Sequence, residues 1–210
     1  MASMVRPIPS SKNGRYALAA LSYLAVLYGT LGLTPPFFRW LSATLGGAGY
    51  SLAITLFLLA MAGLALWNAR GRLTGLGPPG AAGLALVAIG YGLIFLWVPA
   101  PATRLHTLQY GALSWLVTGA LRGRGPVGGP AWRLHAGTLV LVCAAAVGDE
   151  TIQWFLPNRF GLPADVALDW LSAALAQAAI FLLRDRARGA APPAARFWRK
   201  FSSQGGSKTF

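Results

Sequence analysis

Six stretches of about 20 apolar residues, separated by Gly- and Pro-rich turns, decide what this chain can become. They cover residues 16–33, 47–67, 81–98, about 103–121, about 134–156 and about 163–183. A bilayer core about 30 Å thick is crossed by roughly 20 residues of helix. Lipid offers backbone N–H and C=O groups no partner, so each span is expected to be helical. The connections TPPF, GPPG, VPAPA, GRGPVGGP and LPNRFGLP are short and turn-forming. Only 11% of residues are charged, against about 25% in a soluble domain. The expected fold is all-α: a polytopic transmembrane bundle of six spans. The first apolar run, 18 residues long, exceeds a signal peptide's core of about 7–15 and precedes no small-residue cleavage pattern, so it reads as a span.

The net charge of +13 would suggest nucleic acid in a soluble protein. Here the basic residues lie between and after apolar segments, where they orient helices, and no nucleic-acid partner is expected. Arg39, Arg104 and Arg159 are the three basic residues of alternate loops; the other fifteen Lys and Arg fall on the opposite side. The positive-inside rule then places both termini in the cytoplasm. Residues 1–15 form a cytoplasmic N-terminal segment, 16–184 the membrane domain and 185–210 a basic cytoplasmic tail. Within the tail, ARFWRKF suits an anionic leaflet surface or a positive-inside anchor, and SSQGGSKTF has nothing to bury. No composition shift divides the chain, and no internal repeat is evident. Cys143 reads as a small buried hydrophobe.

One stretch departs from this frugality with charge. Between Gly148 and Trp170, GDETIQWFLPNRFGLPADVALDW holds Asp149, Glu150, Asp165 and Asp169, four of the five acidic residues. Asp149 and Gln153 are four apart and Glu150 and Gln153 three apart, so they are neighbours on one helix surface. Asp165 and Asp169 share a face of the last span, which Ser172 continues. In the fourth span, His106, Gln109 and Tyr110 share a face, with Arg104 before them. The predicted orientation brings these ends to the extracytoplasmic side, together with Arg159 of the last outer loop. A cluster of Arg104, His106, Gln109, Tyr110, Asp149, Glu150, Gln153, Arg159, Asp165 and Asp169 is geometrically allowed there. Ionisable groups in a membrane are functional candidates by default, although paired charges also serve to hold helices in register. His106 by itself reads as a hydrogen-bonding residue, and His135 as an interfacial one. No metal-ligand spacing, P-loop or nucleophile elbow is present, so no metal or other cofactor is expected.

These residues also carry a resemblance. RLHTLQYGAL, followed about forty residues later by DETIQWFLPNRFGLPADVALDWLSA, resembles the VanZ-like family of bacterial membrane proteins over residues 96–183. The matching positions are Arg104, His106, Tyr110, Gly111, Asp149, Glu150, Gln153, Pro157, Arg159, Asp165 and Asp169. Gln109 stands where that family often has Glu, Asp169 where Asn is common, and Ser172 where Gly is frequent. The resemblance implies a multi-pass protein of the bacterial cytoplasmic membrane, acting in the cell envelope. The family's founding member is associated with low-level resistance to the glycopeptide teicoplanin, and most relatives have no assigned activity.

The expected function is binding or modification of an envelope lipid or headgroup ligand at the outer ends of the last three spans. Arg104 and Arg159 would pair with phosphate or carboxylate there. Three alternatives remain open: a structural or assembly subunit whose charges are packing devices, a metal-dependent membrane enzyme, and a transporter or proton relay.

Overall fold

The computed structural model describes residues 11–122, 130–157, 159 and 161–186. Arg124 and the tail segments ARFWRKF and SSQGGSKTF lie outside the described residues. The described chain is all-helical, with six α-helices: α1 (Ser11–Gly29), α2 (Thr34–Leu73), α3 (Gly77–Trp97), α4 (Pro101–Leu121), α5 (Ala131–Phe155) and α6 (Pro163–Ile180). A π-helical turn, Phe181–Arg186, extends α6. Pro occupies the first turn of α2, α3, α4 and α6, where its missing N–H costs nothing.

Four helices are long and apolar enough to cross a membrane: α2, α3, α5 and α6 with its extension to Asp185. They expose leucines such as Leu52, Leu59, Leu86 and Leu93, a surface that suits lipid rather than water. Exposed tryptophans mark two levels. Trp132 and Trp154 stand near opposite ends of α5, about 33 Å apart along the axis. Trp97 joins the Trp154 end and Trp67 the Trp132 end, as in the aromatic belts of membrane proteins.

α4 is less apolar because it is central. It packs against α1, α5 and α6, and more lightly against α2 and α3. Its buried face includes Tyr110, Ser114 and Thr118, one helical turn apart. Neighbouring helices surround these polar groups, which accounts for the lower apolar content of α4. α1 falls short for a local reason: its first turn is SKNGR.

The turn expected around TPPF is instead helical. α2 begins at Thr34 and continues to a kink at Gly46, where φ is 70° and ψ is 163°. Only Gly adopts that combination without strain, so residue 46 separates a short helix from the long apolar one. Pro35 and Pro36 start this short helix instead of stopping one. Gly46→Ala should cost about 1–3 kcal/mol, read as a lower midpoint in SDS-driven unfolding; unchanged stability would show that the kink relaxes freely.

At the end where α4 finishes and α5 begins, a polar network runs through the core. Arg122 donates to both oxygens of Asp185, at 3.0 and 3.4 Å. His135 places one ring nitrogen 2.9 Å from Asp185 and the other 2.7 Å from Gln177 Oε1. Gln177 Nε2 donates to Thr118 Oγ1 at 3.0 Å and to the Ser114 carbonyl at 3.3 Å. Asn13 of α1 donates to the Arg122 carbonyl. This corrects one expectation. Asp185 is not the start of a free tail, because the π-helical turn carries it back into the bundle. His135, read as interfacial, lies near the start of α5 with its ring buried between Gln177 and Asp185.

Candidate functional site

At the other end of the bundle, four helix ends bring polar side chains together. His106 lies about 7.5 Å inside the start of α4 and Asp169 about 9 Å inside the start of α6, at 1.5 Å per residue. Asp149 and Glu150 lie one to two turns before the end of α5. These positions are deep enough to be enclosed and shallow enough to be reached.

The contacts divide into two groups. In the first, His106 Nδ1 is 2.9 Å from Asp169 Oδ1, and the Tyr110 hydroxyl donates to Asp149 Oδ2 at 2.8 Å. The rings of His106 and Tyr110 stack at 6.4 Å between centroids. In the second, Gln153 Nε2 donates to Glu150 Oε1 at 2.9 Å, and Arg159 Nη1 donates to Gln153 Oε1 at 3.0 Å. The backbone N–H of Leu162 donates to Glu150 Oε2 at 2.9 Å. Glu150 and Gln153 thus tie the α5–α6 loop to α5 at two points, Leu162 and Arg159. Gly161 makes the close approach possible: a Cβ there would sit 2.3 Å from the Glu150 carbonyl oxygen.

A cavity of about 520 Å3 opens beside the first group. His106, Gln109, Asp149, Gln153, Arg159 and Asp165 line it. The facing wall is the end of α1 and the short helix before Gly46, which contributes Thr34, Phe38, Arg39 and Ser42. These four recur at spacings of four and three, one face of that helix. The carboxylate of Asp165 and the guanidinium of Arg39 have no hydrogen-bond partner among the described residues. A second cavity, of about 500 Å3, is mainly apolar; it lies against α5 and α6, with Glu150, Trp154, Phe155 and Trp170 on its wall.

Nine of the ten expected residues therefore gather at one end, on the cavity wall or bonded within the cluster. Arg104 does not. Its Nε donates to the Val98 carbonyl at 2.9 Å, and its guanidinium lies 4.8 Å from the centre of the Phe95 ring. It caps the end of α3, because that carbonyl has no further turn of helix to bond it. Arg39, which the expected cluster did not include, lines the cavity instead. Its signal was present in the sequence as the single basic residue of its loop on the predicted outer side. The helix that aims it was not legible, since TPPF reads as a turn.

The three carboxylates at the centre are deeply buried: Asp149 is 1% exposed, Glu150 5% and Asp169 0%. One potential ligand atom from each of these and from His106 all lie within 4.8 Å of one another. Asp149 Oδ1 and Asp169 Oδ2 find no hydrogen-bond partner among the described residues. The contrast with the opposite end is chemical. There, both oxygens of Asp185, both ring nitrogens of His135 and both amide atoms of Gln177 are bonded. Beside them, Arg122 Nε and Ser114 Oγ are buried with no hydrogen-bond partner among the described residues. The difference lies in the carboxylates: an unmet buried carboxylate oxygen carries a desolvation penalty of about 1–3 kcal/mol, and only the cavity end leaves such oxygens unmet among the described residues.

No family model matches this chain, and no curated protein or solved structure matches it.

Proposed function

We propose that this is a six-span membrane protein with both termini in the cytoplasm, whose extracytoplasmic cavity binds the anionic headgroup of an envelope lipid. The observation that carries the reading is the pair Arg39 and Arg159 on the wall of one open cavity of mixed polar and apolar lining, near the helix ends. Guanidinium groups match phosphate geometry, and their bonds to it are charge-assisted. Gln109 and Asp165 on the same wall add an amide and a carboxylate for hydroxyl or amine groups of the ligand. The apolar cavity beside α5 and α6 lies next to this wall and suits an acyl chain. The orientation rests on the distribution of Lys and Arg: Arg39, Arg104 and Arg159 belong to the site side, the remaining basic residues to the other. The resemblance of the stretches around His106 and Asp149 to VanZ-like proteins supports a bacterial cytoplasmic-membrane location.

The test is calorimetric titration of short-chain phosphatidylglycerol and phosphatidylcholine into the protein in a neutral detergent. Tighter binding of the anionic lipid is expected. The Arg39→Gln/Arg159→Gln double variant should weaken it by about 100-fold, two charge-assisted hydrogen bonds at roughly 1.5 kcal/mol each. Equal affinity for both lipids, or a double variant that binds like wild type, would sink the headgroup reading.

The structural-subunit alternative has its own support in the Arg122–Asp185–His135 network, in which both Asp185 oxygens and both His135 ring nitrogens are bonded. That network accounts for one end of the bundle and leaves the cavity end unexplained.

A further inference from the structure

We infer that His106, Asp149, Glu150 and Asp169 form a binding site for one divalent first-row cation of the Mn2+, Fe2+ or Zn2+ class. The inference goes beyond headgroup binding and stands whether or not the cavity takes a lipid.

Three observations carry it. The first is convergence. A ligand atom from each of the four residues lies within 4.8 Å of the other three. Opposite ligands on an ion with bonds of about 2.0–2.2 Å stand up to about 4.4 Å apart, so a closure of a few tenths of an ångström forms the site. The second is unmet bonding capacity. Asp149 Oδ1 and Asp169 Oδ2 belong to fully buried side chains and have no hydrogen-bond partner among the described residues. The other oxygen of each is held, by Tyr110 and by His106. Each carboxylate is thereby oriented through one oxygen with the second left for a ligand. That is the arrangement in which outer hydrogen bonds fix metal ligands.

The third is charge. Asp149, Glu150 and Asp169 are buried together, and His106 is the cation-capable side chain beside them, bonded to Asp169. Arg159 reaches Gln153, not a carboxylate. Carboxylates so close in a low-dielectric interior repel one another strongly, and burying them uncompensated is costly. A divalent cation offsets most of that charge with a single particle. Three carboxylate oxygens and one imidazole nitrogen form a mixed set: imidazole suits Zn2+ and Fe2+, and carboxylate suits Mn2+. Absence of a Cys ligand sets aside soft monovalent ions.

The four residues come from three helices at separations of 43, 1 and 19 positions, so the sequence allowed a metal-dependent reading only as an alternative. No local ligand spacing exists to be recognised. Placement also matters for access: His106 and Asp149 line the cavity whose wall also carries Arg39 and Arg159. An ion on this cluster would add its charge to theirs in attracting an anionic group.

The experiment is Mn2+ titration of chelator-treated, detergent-purified protein, followed by electron paramagnetic resonance. Wild type should remove one equivalent of free Mn2+ from solution, and pulsed spectra of the bound ion should show nitrogen coupling from an imidazole. Asp149→Asn and Asp169→Asn should weaken uptake by at least about 100-fold, and His106→Gln should abolish the nitrogen coupling. Failure of wild type to take up Mn2+ or Zn2+ would overturn the inference. So would stoichiometric uptake without nitrogen coupling, a readout on the unaltered protein that depends on no variant folding. Uptake unchanged in both Asp variants would overturn it equally, by placing the ion elsewhere.

Discussion

Gly161→Ala is expected to lower stability by about 2–4 kcal/mol and to loosen the loop between α5 and α6. The added methyl group would stand 2.3 Å from the Glu150 carbonyl oxygen and 3.5 Å from the Trp154 nitrogen, both backbone atoms of α5. Hydrogen-bonded helix backbone does not step aside easily, so the loop must lift. Overpacking of this kind costs about 1–3 kcal/mol. Lifting also breaks the bond from the Leu162 N–H to Glu150, a charge-assisted hydrogen bond in a buried setting. Reversible unfolding in SDS-containing mixed micelles reads the loss. The same variant should disturb the cavity, since Leu162 and Arg159 line it. A variant as stable as wild type would mean that the loop does not press on α5.

Asp185→Ala should cost about 3 kcal/mol or more. It strands Arg122 and removes one of the two acceptors of His135. Breaking a buried ion pair from one side costs about 3–5 kcal/mol, and the partial exposure of both partners argues for the lower part of that range. Asp185→Asn keeps the shape and one acceptor oxygen, and should lose less. The two variants measured in the same unfolding series separate charge from hydrogen bonding. A negligible loss in both would show that the network is solvated and holds nothing together.

Much of this architecture was legible before any coordinate. Length, apolar runs and punctuating prolines place all six helices, since lipid leaves the backbone few choices. The i, i+4 spacing of Asp165 and Asp169, and that of Asp149 and Gln153, correctly anticipated shared faces. Three features were not legible, each for a physical reason. The short helix before Gly46 carries the signs of a turn, because Pro35 and Pro36 suit either a turn or a first helical turn. Arg104 stands beside the cluster in sequence, yet an unbonded carbonyl at the end of α3 and the Phe95 ring draw it away. Asp185 sits among arginines that read as a tail, and only the π-helical extension of α6 reveals Arg122 and His135 as its partners. In the last two cases a tertiary contact outweighed the local pattern.

The central claim is that the charged end of the bundle is a binding site and the opposite end a clasp. Its most direct test is the thermal stability of wild type beside Arg39→Gln and Asp165→Asn in lipid-free detergent, before and after addition of short-chain phosphatidylglycerol. Neither side chain bonds to another described residue, so a binding site predicts that both variants melt at or above wild type without lipid. Lipid should then raise the Tm of wild type and leave Arg39→Gln nearly unmoved. Variants that melt far below wild type, with lipid shifting every protein equally, would contradict the claim and make both ends of the bundle clasps.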